Sequence, residues 1–201
     1  MSTWENNTDR LKAYLTALVV SFVAENQGAR VVSQGLKCVG VGILPVIDHL
    51  CFFTNDFKEC LEHYRDFGYE ESFSSDLEIT EGIGHVLIKK GYPALIVIEA
   101  GESAFIKSWL EKFNHRQPFF IAVEVEHIEN AVFYMEKQGV AFTEGVFGKR
   151  GDHCRLAFSA FEVKEGQLFS TLRLVERLRG YQGFMSCLPS QKTLSAAASD
   201  S

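Results

Sequence analysis

His49 is the side chain in this sequence best equipped for chemistry. It follows Asp48 inside the apolar run of residues 46–54. A neutral imidazole can ligate a metal or carry a proton near neutral pH. The plainer role of a lone histidine on a buried strand is that of a hydrogen-bonded core residue, because buried polar groups require partners. Cys51 lies two residues on, so the alternation of a strand puts its thiol on the same face as His49. With Cys154 or Cys60 these two would make a small zinc site, although no ligand spacing marks one. As a nucleophilic pair they stand apart at i and i+2 on one strand and lack a third, orienting group.

The segment that carries His49 recurs. Asp48-His49-Leu50-Cys51-Phe52-Phe53, followed by a helical stretch ending at Gly68, reappears 71 residues on as Phe119-Phe120-Ile121-Ala122-Val123-Glu124, followed by a stretch ending at Gly139. His49 falls on Phe120, Phe57 on Ile128, Cys60 on Ala131, Leu61 on Val132 and Gly68 on Gly139. A period of this length marks two copies of one supersecondary unit, with any shared site between the copies.

Around these copies the pattern predicts a helix over 9–25, with Leu11, Leu15, Leu18 and Phe22 in one stripe and Thr8 or Asn7 as its cap. Asn26-Gln27-Gly28 reads as its stop, and the stretch up to Pro45 is ambiguous. The first copy reads as a strand at 46–54, a helix at 56–67 closed by Gly68, and strands near 69–73, 83–90 and 93–99. A connecting helix at about 103–113 presents Phe105, Ile106, Trp109, Leu110 and Phe113 on its apolar face. The second copy repeats the order, with a strand at 118–126, a helix at 127–138 and strands near 140–144, 153–161 and 168–177. The fold expected is α+β, with tandem β-α-β-β-β units forming a cupped, eight-stranded mixed sheet and an extra N-terminal helix. The domain plan is a helical arm over 1–44, a domain over 45–185 with units 46–99 and 118–178, and a small, polar, disordered tail over 186–201.

The bulk composition narrows the function. A net charge of −6 without a clustered cationic face argues against nucleic acid as a partner. Five cysteines (Cys38, Cys51, Cys60, Cys154 and Cys187) at irregular spacing fit free thiols in a reducing, cytoplasmic setting. The apolar run Ala17-Leu18-Val19-Val20-Ser21-Phe22-Val23-Ala24 is too short to span a bilayer, and Glu5 and Asp9 spoil a basic leader, so no membrane is expected. The acidic group Glu59, Glu62, Asp66, Glu70 and Glu71 reads as a solvated helix face and its exit.

Three stretches carry a family resemblance: Val46-Ile47-Asp48-His49-Leu50, the segment from Phe120 through Glu124 to Ile128, and Gly139-Val140-Ala141-Phe142. They resemble the vicinal oxygen chelate superfamily of glyoxalases, dioxygenases and bleomycin-resistance proteins. The ending Phe169-Ser170-Thr171-Leu172-Arg173-Leu174-Val175-Glu176-Arg177, then Gly180-Tyr181-Gln182-Gly183-Phe184, is similar to the end of a 4-hydroxyphenylpyruvate dioxygenase domain. The resemblance covers about 45–185 and does not extend to the N-terminal helix. It implies ferrous iron held by two histidines and a glutamate inside the cup, with open positions for a keto acid and dioxygen. The implied first histidine is His49, the second falls on Phe120, the glutamate falls on Arg173, and the pseudo-symmetric fourth position is Ile96. Only His49 of these can ligate, since phenylalanine has no lone pair there and arginine stays protonated. Glu176, three residues past Arg173, should face the other way.

If the last strand keeps its register, Arg173 points into the cup, where a buried charge needs a partner. The internal partner expected is Glu124, four residues past Phe120 and on the same face by alternation. The alternative is the carboxylate of a ligand, held in the fork geometry that suits arginine. Phe52, Phe53, Phe119, Phe120, Phe158, Phe161 and Phe169 either line a pocket for an aromatic acid or pack the core. The leading expectation is a domain with a degraded metal site and no cofactor, binding a small carboxylate or keto acid, or regulating, through His49, Cys51, Phe120, Glu124 and Arg173. The rivals are an active Fe(II)- or Zn(II)-dependent dioxygenase, lyase or isomerase, and a homodimerisation or assembly module using helix 9–25.

Overall fold

The structure, a computed structural model, describes residues 3–38, 47–72, 82–113, 116–178 and 180–184. Each copy of the repeat folds as a strand, a helix and a returning set of strands. The first consists of β1 (Ile47–Thr54), α3 (Phe57–Arg65), β2 (Glu70–Glu71), β3 (Ile83–Ile88) and β4 (Ala94–Glu99), the N-terminal helices being α1 (Thr3–Glu25) and α2 (Gln27–Cys38). After α4 (Ala104–Lys112) the second consists of β5 (Phe120–Glu124), α5 (Ile128–Lys137), β6 (Phe142–Phe147), β7 (Cys154–Ser159), β8 (Glu162–Lys164) and β9 (Gln167–Arg177). Asp56 caps α3 by accepting from the Glu59 amide at 3.0 Å. Gly68 and Gly139, equivalent in the two copies, take φ of 83° and 84°, the left-handed conformation that ends a helix without a Cβ clash.

The strands form one mixed sheet in the order β2-β3-β4-β1-β5-β9-β7-β6. The order within the first copy, β1-β4-β3-β2 outward, is repeated as β5-β9-β7-β6, and the copies meet where β1 pairs antiparallel with β5. The eight strands expected are present. Among the described residues a further strand, β8, pairs with the start of β9 through a tight turn at Glu165 and Gly166, both at positive φ. Its three residues were too few to show a strand periodicity.

Alternation divides the side chains between two cores. Leu50, Phe52, Leu95, Val97, Ile121, Val123, Leu172 and Leu174 face α1, α2, α3 and α5. Cys51, Phe53, Ile96, Ile98, Phe119, Phe120, Phe158 and Val175 face the other way, where Ile106, Trp109 and Phe113 around α4 join them. Phe52 therefore leaves the set of aromatics that faces His49.

At the N-terminus the structure departs from the single helix expected. α1 (Thr3–Glu25) is followed at once by α2 (Gln27–Cys38). Asn26 begins the second helix as well as ending the first: its Oδ1 accepts from the Ala29 amide at 2.9 Å and its Nδ2 donates to Ser170 Oγ at 3.2 Å. Gly28 packs so closely on Leu172 that an added Cβ would stand 3.2 Å from it. The stripe of Leu11, Leu15 and Phe22 is buried in the core the helices share with the sheet. That stripe is thus covered within the chain, and a dimer built on it would have no apolar face to use. Among the described residues, no helix is long and apolar enough to cross a membrane. The expected disordered tail at 186–201 lies outside the described residues, as do the residues from 39 to 46.

Candidate functional site

The register across the seam sets the site. His49 pairs with Ala94 and Ala122, Ala122 with Arg173, and Arg173 with Phe158. In the next row Ile96, Cys51 and Phe120 stand side by side. Three of the four positions that the resemblance assigns to metal ligands, His49, Phe120 and Arg173, therefore meet, with Ile96 in the next row, and all four are buried: His49 is 2% exposed, Arg173 1%, and Phe120 and Ile96 not at all. The Arg173 guanidinium lies between two rings, its carbon 4.2 Å from the centroid of Phe120 and 4.5 Å from that of Phe158. Such contacts partly offset the loss of water around a cation.

Arg173 Nη1 is 3.5 Å from His49 Nε2. A guanidinium has only donors, so Nε2 accepts and the proton of the neutral ring sits on Nδ1. Nδ1 donates to Asp48 Oδ2 at 2.5 Å. Burial and the neighbouring Arg173 charge push the His49 imidazole down to about 4, against the pull of Asp48. Burial alone would raise the Asp48 carboxyl, but hydrogen bonds from His49 and Arg177 hold it well below the ordinary carboxylate range.

A β-bulge makes this possible. Ile47 pairs with Val123 and His49 with Ala122, so Asp48 is the extra residue on β1. Freed from strict alternation, it reaches both His49 and Arg177. Arg177 grips it with both sides of its fork, Nε to Oδ1 at 2.5 Å and Nη2 to Oδ2 at 2.8 Å. The remaining Nη1 donates to the carbonyls of Gly183 at 2.6 Å and Tyr181 at 3.2 Å. This draws residues 180–184 over the site as a strap, in which Phe184 stands edge-on to His49 with centroids 5.3 Å apart. Outside the strap, a cleft of about 840 Å³ is lined by Asp48, Arg177, Glu124, Lys89, Lys90 and Tyr92, with residues 180–184 as one wall.

Several expectations are corrected by this geometry. Glu124 does not pair with Arg173: it sits opposite Val175 at the end of β5, exposed, on the wall of the cleft. The carboxylate bound in its place is Asp48, and its arginine is Arg177. Glu176 faces the opposite side of β9 from Arg173, bound to Arg155 at 2.8 Å. Arg155 also holds Glu129 of α5, whose carboxyl its hydrogen bonds bring down to about 2. Cys51 and Cys154 lie in the core around the site, but Cys60 belongs to the helical side. Burial pushes the Cys60 thiol up to about 12. Among the described residues, no group of three or more His, Cys, Asp or Glu side chains is placed to hold a metal ion. Arg177 and Phe184 are the functional candidates that sequence reasoning passed over. Arg177 follows Arg173 by four residues on one strand, and that even spacing put both on one face.

A family model for the glyoxalase/bleomycin resistance protein/dioxygenase superfamily matches residues 48–158, more than half of the chain. The chain belongs to this superfamily. Its fold is shared by other solved structures that include dioxygenase-type and glyoxalase-type members. One is a Shewanella frigidimarina protein named as a candidate hydrolase, 14% identical, with a TM-score of 0.67 over 88% of this chain and 98% of that one. Another is the hydroxyglutarate synthase of Oryza sativa, solved with 2-oxoadipate, 12% identical, with a TM-score of 0.66 over 89% and 83% of the two chains. A variant of 4-hydroxymandelate synthase from Streptomyces coelicolor is 17% identical, with a TM-score of 0.54 over 71% of this chain and 52% of that one. Among curated proteins, none matches the sequence. Within the superfamily's cup, the residues here do not fit the metal that the resemblance implies. A fixed guanidinium stands beside the one imidazole, and the remaining positions are phenylalanine and isoleucine.

Proposed function

We propose that this superfamily member is a metal-free binding module for a small carboxylate or keto acid, rather than a metal-dependent dioxygenase, lyase or isomerase. The observation that carries this reading is Arg173, lodged between Phe120 and Phe158 with its guanidinium on His49 Nε2. A cation bound there would meet a permanent positive charge and would compete with it for the same lone pair. An anion would meet the opposite field. Arg177, Lys89 and Lys90 line the cleft and favour a carboxylate, with Tyr92 beside it for the rest of the molecule. The 2-oxoadipate bound by the rice hydroxyglutarate synthase is an acid of this class.

Two measurements test the reading. Anaerobic titration of the purified chain with Fe(II) and with Zn(II) should show no stoichiometric binding, whereas Phe120→His with Arg173→Glu should gain a site. Near-stoichiometric metal in the unaltered chain, lost in His49→Ala, would overturn the proposal. A thermal-shift series of 2-oxo acids and aromatic acids should raise the melting temperature, and the rise should vanish in Arg177→Gln. No rise with any acid would leave both arginines with structural roles alone.

A further inference from the structure

We propose that residues 180–184 form an internal stand-in for the acid, so that the chain keeps its own carboxylate site shut until a ligand displaces the strap. The inference rests on the carboxylate reading above and adds its regulation. Arg177 Nη1 donates to two oxygens of the strap, Gly183 O at 2.6 Å and Tyr181 O at 3.2 Å. Both oxygens fall on the one nitrogen of the guanidinium that Asp48 leaves, where an oxygen of an incoming carboxylate would otherwise accept. The strap also brings a ring: Phe184 is edge-on to His49, and its centroid is 5.1 Å from the Arg177 guanidinium carbon. Oxygen acceptors joined to an apolar ring are the chemistry of an aromatic acid, presented here by the chain itself.

The strap is placed to leave. It forms a wall of the cleft, so a ligand entering the cleft reaches it first. Gly180, Tyr181 and Gln182 are exposed, and only Gly183 and Phe184 are half-buried. Among the described residues, the other contacts of Tyr181 and Phe184 are ring packing, Tyr181 stacking on His153 at 5.6 Å and Phe184 meeting His49, and one backbone bond from the Tyr181 amide to the Leu178 carbonyl at 3.2 Å. An incoming carboxylate would exchange two neutral carbonyls on Nη1 for charged oxygens, which make the stronger hydrogen bonds. The grip of Arg177 on Asp48 uses its Nε and Nη2 and would remain through that exchange.

A closed strap lowers apparent affinity in proportion to the fraction of time the site is open. A strap closed about nine-tenths of the time would therefore weaken binding about tenfold. Phe184→Ala removes the ring of the stand-in. Gly183→Ala keeps the ring of Phe184 but would put a methyl 2.3 Å from the Tyr181 hydroxyl, so the Tyr181 side chain must swing away and give up its stacking on His153. Calorimetric titration of the full chain with phenylacetate should show tighter binding in both variants, by about tenfold on that occupancy. Backbone amide exchange at 181–184 in the unaltered chain should speed up when phenylacetate is added. Unchanged or weaker binding in both variants, with exchange slowed by the ligand, would make the strap part of the ligand's own wall; the inference would fall and the carboxylate reading would stand. No binding of phenylacetate, or of any acid in the thermal series, to any form would remove both.

Discussion

At the scale of single residues, the site is a line of charges that fixes its own protonation. Arg173 can only donate, so His49 Nε2 accepts, Nδ1 carries the proton and Asp48 receives it. This arrangement has a pH signature. The folded imidazole sits near 4 against an ordinary 6.5, so between those values the unfolded chain binds a proton that the folded chain refuses. The contribution is complete above about 6.5 and is lost as pH falls through about 4; the span corresponds to on the order of 3 kcal/mol. Urea unfolding from pH 7 down to 4.5 should show stability falling across that window, and His49→Gln should flatten the slope there. A slope that persists in His49→Gln would assign it to other groups. Asp48 acts lower on the scale: its carboxyl is held down, so its contribution is lost only below the ordinary carboxylate range. Asp48→Asn removes the charge from a buried pair while leaving Arg177 in place, and should cost about 3–5 kcal/mol by equilibrium unfolding. A loss below about 1 kcal/mol would class the pair with ordinary surface ion pairs.

At the scale of elements, the difference between what the residues announced and what they form has local causes. The strands and the helices of the two copies were legible, because an apolar run, a capping aspartate and a closing glycine each act over a few residues. His49 and Arg173 were legible as neighbours because even spacing on paired strands puts them on one face. The Glu124 pair was misread because the register of β5 on β9 sets Ala122, not Glu124, opposite Arg173, and neither strand carries that register alone. α2 was missed for a similar reason. Its sequence, Gln27-Gly28-Ala29-Arg30-Val31-Val32-Ser33-Gln34-Gly35, contains two glycines, which are poor helix formers. Gly28 is nevertheless required, since only a residue without a Cβ fits against Leu172 without pushing it away. Tertiary packing thus overrides local preference in a helix that covers this face of the sheet. Phe22 anchors the preceding helix, with 2% of its surface exposed. Phe22→Ala should cost about 3–5 kcal/mol in unfolding free energy, as for other large aromatic truncations in cores. If α1 were a loose arm, the loss would be within about 0.5 kcal/mol, as for surface substitutions.

At the scale of the whole molecule, the question is whether two copies of one unit behave as one body. Their seam is the antiparallel pairing of β1 with β5, and the charged line runs directly across it: His49 and Asp48 from the first copy, Arg173 and Arg177 from the second. Trp109 lies on the same side, on the helix between the copies. It touches Phe53 of the first and Phe119 of the second, and its Nε1 donates to the Phe169 carbonyl at 3.0 Å. The N-terminal helices cover the other side and join Leu50 and Leu95 of the first copy to Ile121 and Leu172 of the second in one core. Neither copy can leave without exposing an aromatic core on one face and an aliphatic core on the other, while leaving buried arginines without their partners. Exposure of that kind is dearer than the modest net stability of a domain allows. Unfolding should therefore be a single transition despite the internal repeat. In a Trp4→Phe chain, Trp109 is the sole tryptophan. Its fluorescence and the far-UV circular dichroism should then give coincident denaturation curves. A fluorescence midpoint well below the dichroism midpoint would mean that the copies part before either unfolds, and that the site between them can open without melting the units that build it.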